Sequence, residues 1–234
     1  MDSPILAAMC PSSARPKARV AHEPELWTER HWRNYRRHGS RDLSEVALTF
    51  DDGPGPQTPE ILDVLEEFDA KATFYVVGDR VCGSEELLRR VVAAGHELGN
   101  HSMTHPELAG RPLAAYREIR RTNAVLRRST GCTPRVFRAP FGTTSRGLVI
   151  AARLAGLTTV AWDVDSGDWS SPGADAISEA VLGSVRGGSI VLMHDGRGPR
   201  EQTLAALPGI VEGLSERGYR LVTTSEVLLG AARP

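Results

Sequence analysis

Cysteine is scarce in this chain of 234 residues: Cys10, Cys82 and Cys132 are odd in number and widely spaced, with no CxxC pair. That excludes a disulfide framework and a four-thiolate structural zinc site. A surplus of one charge sign is also lacking. With 28 Lys and Arg against 29 Asp and Glu, the formal net charge of -1 offers no basic field for a nucleic-acid backbone. No apolar run approaches the length of a membrane span. The N-terminus does not read as a secretory leader either, because Asp2 stands where a positive region is expected and the stretch from Ile5 to Cys10 is too short for an apolar core. These absences lead to the expectation of a cytoplasmic protein with neither nucleic-acid nor membrane partner.

What is present suits one large domain, since 41% of the residues are hydrophobic and an α/β barrel commonly needs 200 to 250 residues. From Val46 onward, short apolar runs alternate with amphipathic segments. The pattern predicts strands over 46–50, 72–77, 97–100, 135–138, 158–162, 189–193 and 220–222. Helices are predicted over 58–68, 84–94, 112–128, 145–155, 174–186, 201–217 and 224–230. Strand followed by helix, repeated in this way, is the signature of an α/β fold with a mostly parallel sheet. Gly95, Gly131, Gly156, Gly187 and Gly218 fall at or just after helix ends, where a left-handed cap suits a residue without Cβ.

A doubly wound nucleotide fold would show GxGxxG or a P-loop after its first strand. Asp51-Asp52-Gly53-Pro54 occupies that place, which favours a (β/α) barrel over 45–234. Residues 1–44 read as an N-terminal extension. It is expected to be loose through Pro4, Pro11, Pro16 and Pro24, then packed on the domain through Trp27, Trp32 and Tyr35. Its basic stretch from Trp27 to Arg41 is expected to be a solvated face rather than a lip for an acidic substrate.

Barrels do their chemistry at the C-terminal ends of the strands, and the polar residues collect there. Asp51 and Asp52 end the first strand. His101-Ser102-Met103-Thr104-His105 follows the third, with two histidines four apart, expected on one face of a helical turn. HxxxH alone is a weak match, but with Asp52 it forms a two-histidine, one-carboxylate set suited to a divalent metal. Arg138 ends the fourth strand, where its planar fork can orient a carboxylate. Asp163, Asp165 and Asp168 beside Trp169 follow the fifth, and His194 closes the sixth.

In this order, TFDDGP (49–54), HSMTH (101–105), RAPFG (138–142), DSGDW (165–169) and LMH (192–194) resemble the five motifs of the polysaccharide deacetylases, carbohydrate esterase family 4, across about residues 46–228. The resemblance implies a distorted (β/α)7-8 barrel of mostly parallel strands and a metal-dependent hydrolase that removes acetyl groups from N-acetylated sugars. It implies Asp52, His101 and His105 as ligands of the ion, usually Zn2+, with Co2+ or Ni2+ as alternatives. Asp51 becomes the general base held by Arg138, and His194 the general acid oriented by Asp168. The backbone N–H of Phe141 becomes an oxyanion donor, while Trp169 and Leu192 wall the acetyl pocket. Ala139 stands where the family often has proline, and Phe141 where tyrosine is common; neither is a reacting group.

The expected partner is an N-acetylated carbohydrate or a small N-acetylated molecule. A cytoplasmic location favours a chitooligosaccharide or a biosynthetic intermediate over peptidoglycan. Two other classes fit parts of the pattern. A non-haem iron oxygenase also uses two histidines and a carboxylate but leaves Asp51, Asp168 and His194 without roles. A silent carbohydrate-binding barrel would be expected to have lost one of the reacting groups.

Overall fold

A computed structural model describes residues 34–230. In chain order the elements are β1 (Tyr35–Arg36), β2 (Glu45–Gly53), α1 (Thr58–Glu67), β3 (Ala72–Val76), α2 (Glu85–Ala93), β4 (Glu97–Asn100), α3 (Pro112–Thr130), β5 (Val136–Phe137), α4 (Arg146–Leu154), β6 (Thr158–Val160), β7 (Val164–Asp165), α5 (Ala174–Ser184), β8 (Ile190–His194), α6 (Glu201–Glu216), β9 (Arg220–Leu221) and α7 (Thr224–Gly230). The seven predicted strands and seven predicted helices are all present, with ends displaced by a few residues.

The strands form one sheet in the order β1-β6-β5-β4-β3-β2-β8-β7, with β9 also paired to β2, and every ladder is parallel. The sheet curls into the expected distorted barrel. Its edge strands β1 and β7 do not pair with each other. The segment after β1 spans the opening instead, through an antiparallel bridge from His38 to Ser189 and a hydrogen bond from Gly39 N–H to Gly188 O of 2.8 Å. Trp27 and Trp32 lie outside the described residues.

Strand alternation sorts the core into layers. Val46, Leu48 and Phe50 of β2, with Val191 and Met193 of β8, pack outward against α1, α5 and α6. The register partners Ala47 and Ile190, on the other face of the same strands, face inward with Tyr75, Val136 and Val160 and fill the barrel. Gly99 makes room for this filling, since a Cβ there would lie 2.5 Å from the Tyr75 ring. A third cluster, including Phe137, Ile119 and Leu148, joins α3 and α4 to the outside of β5.

Two departures from the sequence reading have local causes. β1 and β7 are only two residues long, too short for any period to reveal them. Of the five capping glycines, Gly187 is not left-handed. α5 ends at Ser184, and Gly188 (φ 72°) makes the turn into β8.

Candidate active site

Asp51 and Asp52 are consecutive on a strand, so simple alternation would point them to opposite faces. The backbone overrides this. The β2–β3 register slips between Asp51 and Gly53, and Asp52 adopts φ 73°, which turns its side chain to the lip of the barrel beside Asp51. The loop that follows rests on the end of β8. A Cβ on Gly53 would overlap the Asp195 carboxylate, and one on Gly196 would overlap Asp52 O.

The HSMTH segment is not the expected helical turn. Ser102 (φ 66°) and His105 (φ 57°) are left-handed, and the loop is held by side chains. Asn100 Oδ1 accepts from Ser102 N–H at 2.9 Å, and Ser102 Oγ accepts from His105 N–H at 3.1 Å. Glu118 of α3 accepts from the backbone N–H groups of Met103 and Thr104 at 2.9 and 2.8 Å and from the Thr104 hydroxyl at 3.2 Å. Both imidazoles still reach one point, their ring centroids 4.9 Å apart.

The donor atoms at that point suit a cation. Arg138 O can only accept, so His101 donates to it from Nδ1 at 2.9 Å and keeps the Nε2 lone pair for the site. Burial holds His101 below the usual histidine range against the pull of Asp51 and Asp52, which favours the neutral, ligating form. Asp52 Oδ1 is buried and accepts no aligned hydrogen bond, although His105 Nε2 lies 2.9 Å away and His101 Nε2 3.6 Å away. Burial pushes the Asp52 carboxyl up, but the imidazoles of His105, His101 and His194 together bring it down to about 2. One ligand atom from each of Asp52, His101 and His105 lies within 4.8 Å of the others. An orphaned carboxylate oxygen facing two imidazole nitrogens is a fit for a divalent ion.

Arg138 is fully buried, and its guanidinium is used on every side. Nη1 donates to Asp51 Oδ1 at 2.8 Å and to Thr49 Oγ1 at 2.6 Å, Nη2 to Ala161 O at 3.1 Å, and Nε to Val160 O at 3.4 Å. The Tyr75 ring lies 4.1 Å from its Cζ. Asp51 is thereby fixed by one oxygen, while Oδ2 faces His101 Nε2 at 3.8 Å.

On the adjacent strand, His194 is the register partner of Asp51. Asp168 holds it through Oδ1 to ring Nδ1 at 2.7 Å and through Oδ2 to the backbone N–H at 2.8 Å. Burial lowers the His194 pKa, but the hydrogen bond and charge of Asp168, with Asp51 and Asp52 beyond, raise it above the usual histidine range. Of the three acids that follow β6, only Asp168 enters the site. Asp163 pairs with Arg41 at 2.9 Å, and Asp165 caps Gly167 N–H at 2.9 Å.

Several supporting residues escaped the sequence reading. Thr203 Oγ1 donates to Asp168 Oδ2 at 2.8 Å, and Arg200 Nη1 reaches Asp168 O at 3.5 Å. Thr49 steadies Arg138. Asp195 is buried, accepts from Thr58 Oγ1 at 2.6 Å and donates its N–H to Asp51 O at 3.1 Å. Burial pushes its carboxyl up to about 7. Thr49 opens the TFDDGP motif and Asp195 follows LMH, so both carried a local signal; Thr203 sits on a helix with none.

Phe141 (φ 61°) sets its ring 4.7 Å from that of His105, edge-on, and is half exposed. Trp169 is half exposed too, on the short 3-10 turn Asp168–Ser170, whereas Leu192 is buried between β2 and β7.

The model of the polysaccharide deacetylase family matches residues 38–160 of this sequence. The chain belongs to the polysaccharide deacetylase family. It is 45% identical over 187 residues to a chitooligosaccharide deacetylase of Sinorhizobium fredii, an alignment covering 74% of this chain and 87% of that relative. Among solved structures it resembles the Bc1960 peptidoglycan N-acetylglucosamine deacetylase, with a TM-score of 0.79 and 36% identity over 84% of this chain and 93% of that one. It also resembles a family 4 carbohydrate esterase from Streptomyces lividans in complex with acetate, with a TM-score of 0.71 and 38% identity over 75% of this chain and 90% of the other. Membership places the chain among hydrolases of the deacetylase type. No helix among the described residues is long and apolar enough to cross a membrane.

Proposed function

We propose that this chain hydrolyses the acetamide of N-acetylglucosamine units in a chitooligosaccharide, with Asp51 as base and His194 as acid. The observation that supports this most is their placement: register partners on adjacent strands, at the lip that also holds Asp52, His101 and His105. Two imidazoles and a carboxylate would hold a divalent ion, Zn2+ by donor type with Co2+ or Ni2+ as alternatives, and that ion would polarise the acetyl oxygen and acidify water.

The residues divide the proton transfers. Asp51 Oδ2, the oxygen not taken by Arg138, removes a proton from the attacking water as its oxygen bonds to the acetyl carbon. The Phe141 backbone N–H donates to the oxygen that gains negative charge; such a donor is worth about 2.7 to 4 kcal/mol in other hydrolases. His194, with Nδ1 held by Asp168, gives the proton on Nε2 to the sugar nitrogen as the C–N bond breaks. Acetate and a free amino sugar result. Trp169 and Leu192 confine the acetyl methyl.

The test is acetate release from chitotetraose, peptidoglycan fragments and small N-acetylated metabolites, with and without chelator. Chelator-sensitive release, fastest from chitotetraose, is expected. Preference for peptidoglycan fragments would move the substrate to the glycan named for the Bc1960 relative, and no release from any of them would leave a silent carbohydrate-binding barrel. A cytoplasmic location belongs to this proposal and is checked by cell fractionation.

A further inference from the structure

Beside the ligand loop lies a groove of about 580 Å³ between residues 104–111 and the first half of α3, and four of its lining residues are arginines: Arg111, Arg117, Arg120 and Arg121. A solvated helix face usually interleaves acids with its bases to gain i,i+4 pairs. Here the one acid on α3 is Glu118, which also lines the groove and whose Oε2 is taken by Met103 and Thr104, so a single carboxylate stands against four arginines. None of the four arginines forms an ion pair among the described residues.

One of these charges, that of Arg111, also sits at the wrong end of the helix. Cations are unfavourable near a helix N-terminus, where anions are favoured. Yet Arg111 is the N-cap, the first turn holds no acid, and no side chain caps it. Arg117 and Arg121 are like charges at i,i+4, a further small cost. In a protein of net charge -1 this concentration is local. Arg120 is already placed, its Cζ 5.8 Å from the Tyr116 ring centroid. An anion in the groove would neutralise all of these terms together, and the guanidinium fork matches carboxylate, sulfate and phosphate oxygens.

We propose that the α3 groove is a binding site for an oxyanion group, either a carboxylate, sulfate or phosphate substituent on the N-acetylated substrate or a free anion of the same kind. The site itself follows from charge and shape; only its use as a substrate contact rests on the deacetylase reading.

The test compares the metal-loaded wild type with Arg117→Gln/Arg121→Gln in the groove and Arg127→Gln/Arg128→Gln at the far end of the same helix. Sulfate, against chloride at matched ionic strength so that screening is equal, is expected to raise the melting midpoint of the wild type and of the far-end variant by about 2 °C or more, and that of the groove variant by almost nothing. Acetate release is then measured on chitotetraose and on a tetrasaccharide alternating N-acetylglucosamine with glucuronate. If the anion belongs to the substrate, the groove variant loses about tenfold in kcat/KM on the acidic sugar and less than about twofold on the neutral one. If it is a free anion, the sulfate shift is lost and both sugars react as before. No sulfate shift in the wild type, or equal loss in both variants, overturns the proposal. Failure of the wild type to deacetylate either sugar overturns the deacetylase reading and leaves the sulfate result to decide the groove.

Discussion

Asp168 grips His194 twice, accepting from its ring at 2.7 Å and from its backbone N–H at 2.8 Å. The ring cannot rotate without breaking the first bond, and its cationic form is favoured by the acids Asp168, Asp51 and Asp52 facing it.

The pH profile follows from that pair. In the proposed mechanism a protonated His194 releases the amine, so kcat is expected to fall as pH rises through its raised pKa. In Asp168→Asn the carboxylate's contribution is gone, and the falling limb moves to lower pH, by about one unit or more. Turnover at the optimum drops by a factor of about 10² to 10⁴, the usual scale for a general acid. Steady-state rates from pH 5 to 10 check both; an unmoved limb would refute the assignment of His194.

Asp51 and Arg138 separate catalysis from stability. Asp51→Asn keeps an oxygen for Arg138 and is expected to remain folded while losing about 10² to 10⁴ in kcat. Arg138→Ala leaves Asp51 charged and unpaired inside the barrel, and costs about 3 to 5 kcal/mol in urea unfolding.

Chelation is expected to abolish acetate release and to lower the melting midpoint, because an ion bound only by the folded state adds to its stability. In Asp52→Ala the chelator should no longer shift the midpoint. Elemental analysis of the purified protein reports the metal occupancy directly.

His96, far from the reacting groups, gives a stability prediction of its own. It is buried at the start of β4, accepts from Ala72 N–H at 3.2 Å, and is pushed down to about 4 by burial, with Lys71 and Arg90 adding to this. Its neutral form is present in full above the unfolded pKa near 6.5. As pH falls from there to about 4, the unfolded chain takes up a proton that the folded chain refuses, and stability is lost, on the order of 3 kcal/mol at most. Asp195, pushed up to about 7, acts in the opposite sense over the same window. The His96 share is therefore read by difference: His96→Asn, which keeps an acceptor for Ala72, flattens the acid side of the urea-midpoint curve relative to wild type.

The barrel and its motifs were readable because the long strands are short apolar runs set between amphipathic helices, and β2, β4 and β8 end in polar residues. β1 and β7, at two residues each, leave no period to read. The HSMTH loop was misjudged because the i,i+4 spacing of His101 and His105 imitates a helix, whereas Asn100, Ser102 and Glu118 build the same convergence from left-handed backbone. Nothing local marks Thr203, which meets Asp168 across 35 residues of chain. Glu118 did leave a trace, as the lone acid of an arginine-rich helix, but its meaning depended on where the loop came to rest.

β2 is hydrogen-bonded to β3, β8 and β9 at once, and the two aspartates stand at its end. A strand with three partners is among the last to open in native-state fluctuations, so its amides should exchange only with global unfolding. The ordering entropy of Asp51 is thereby met once, when the chain folds, and is not charged again at each turnover.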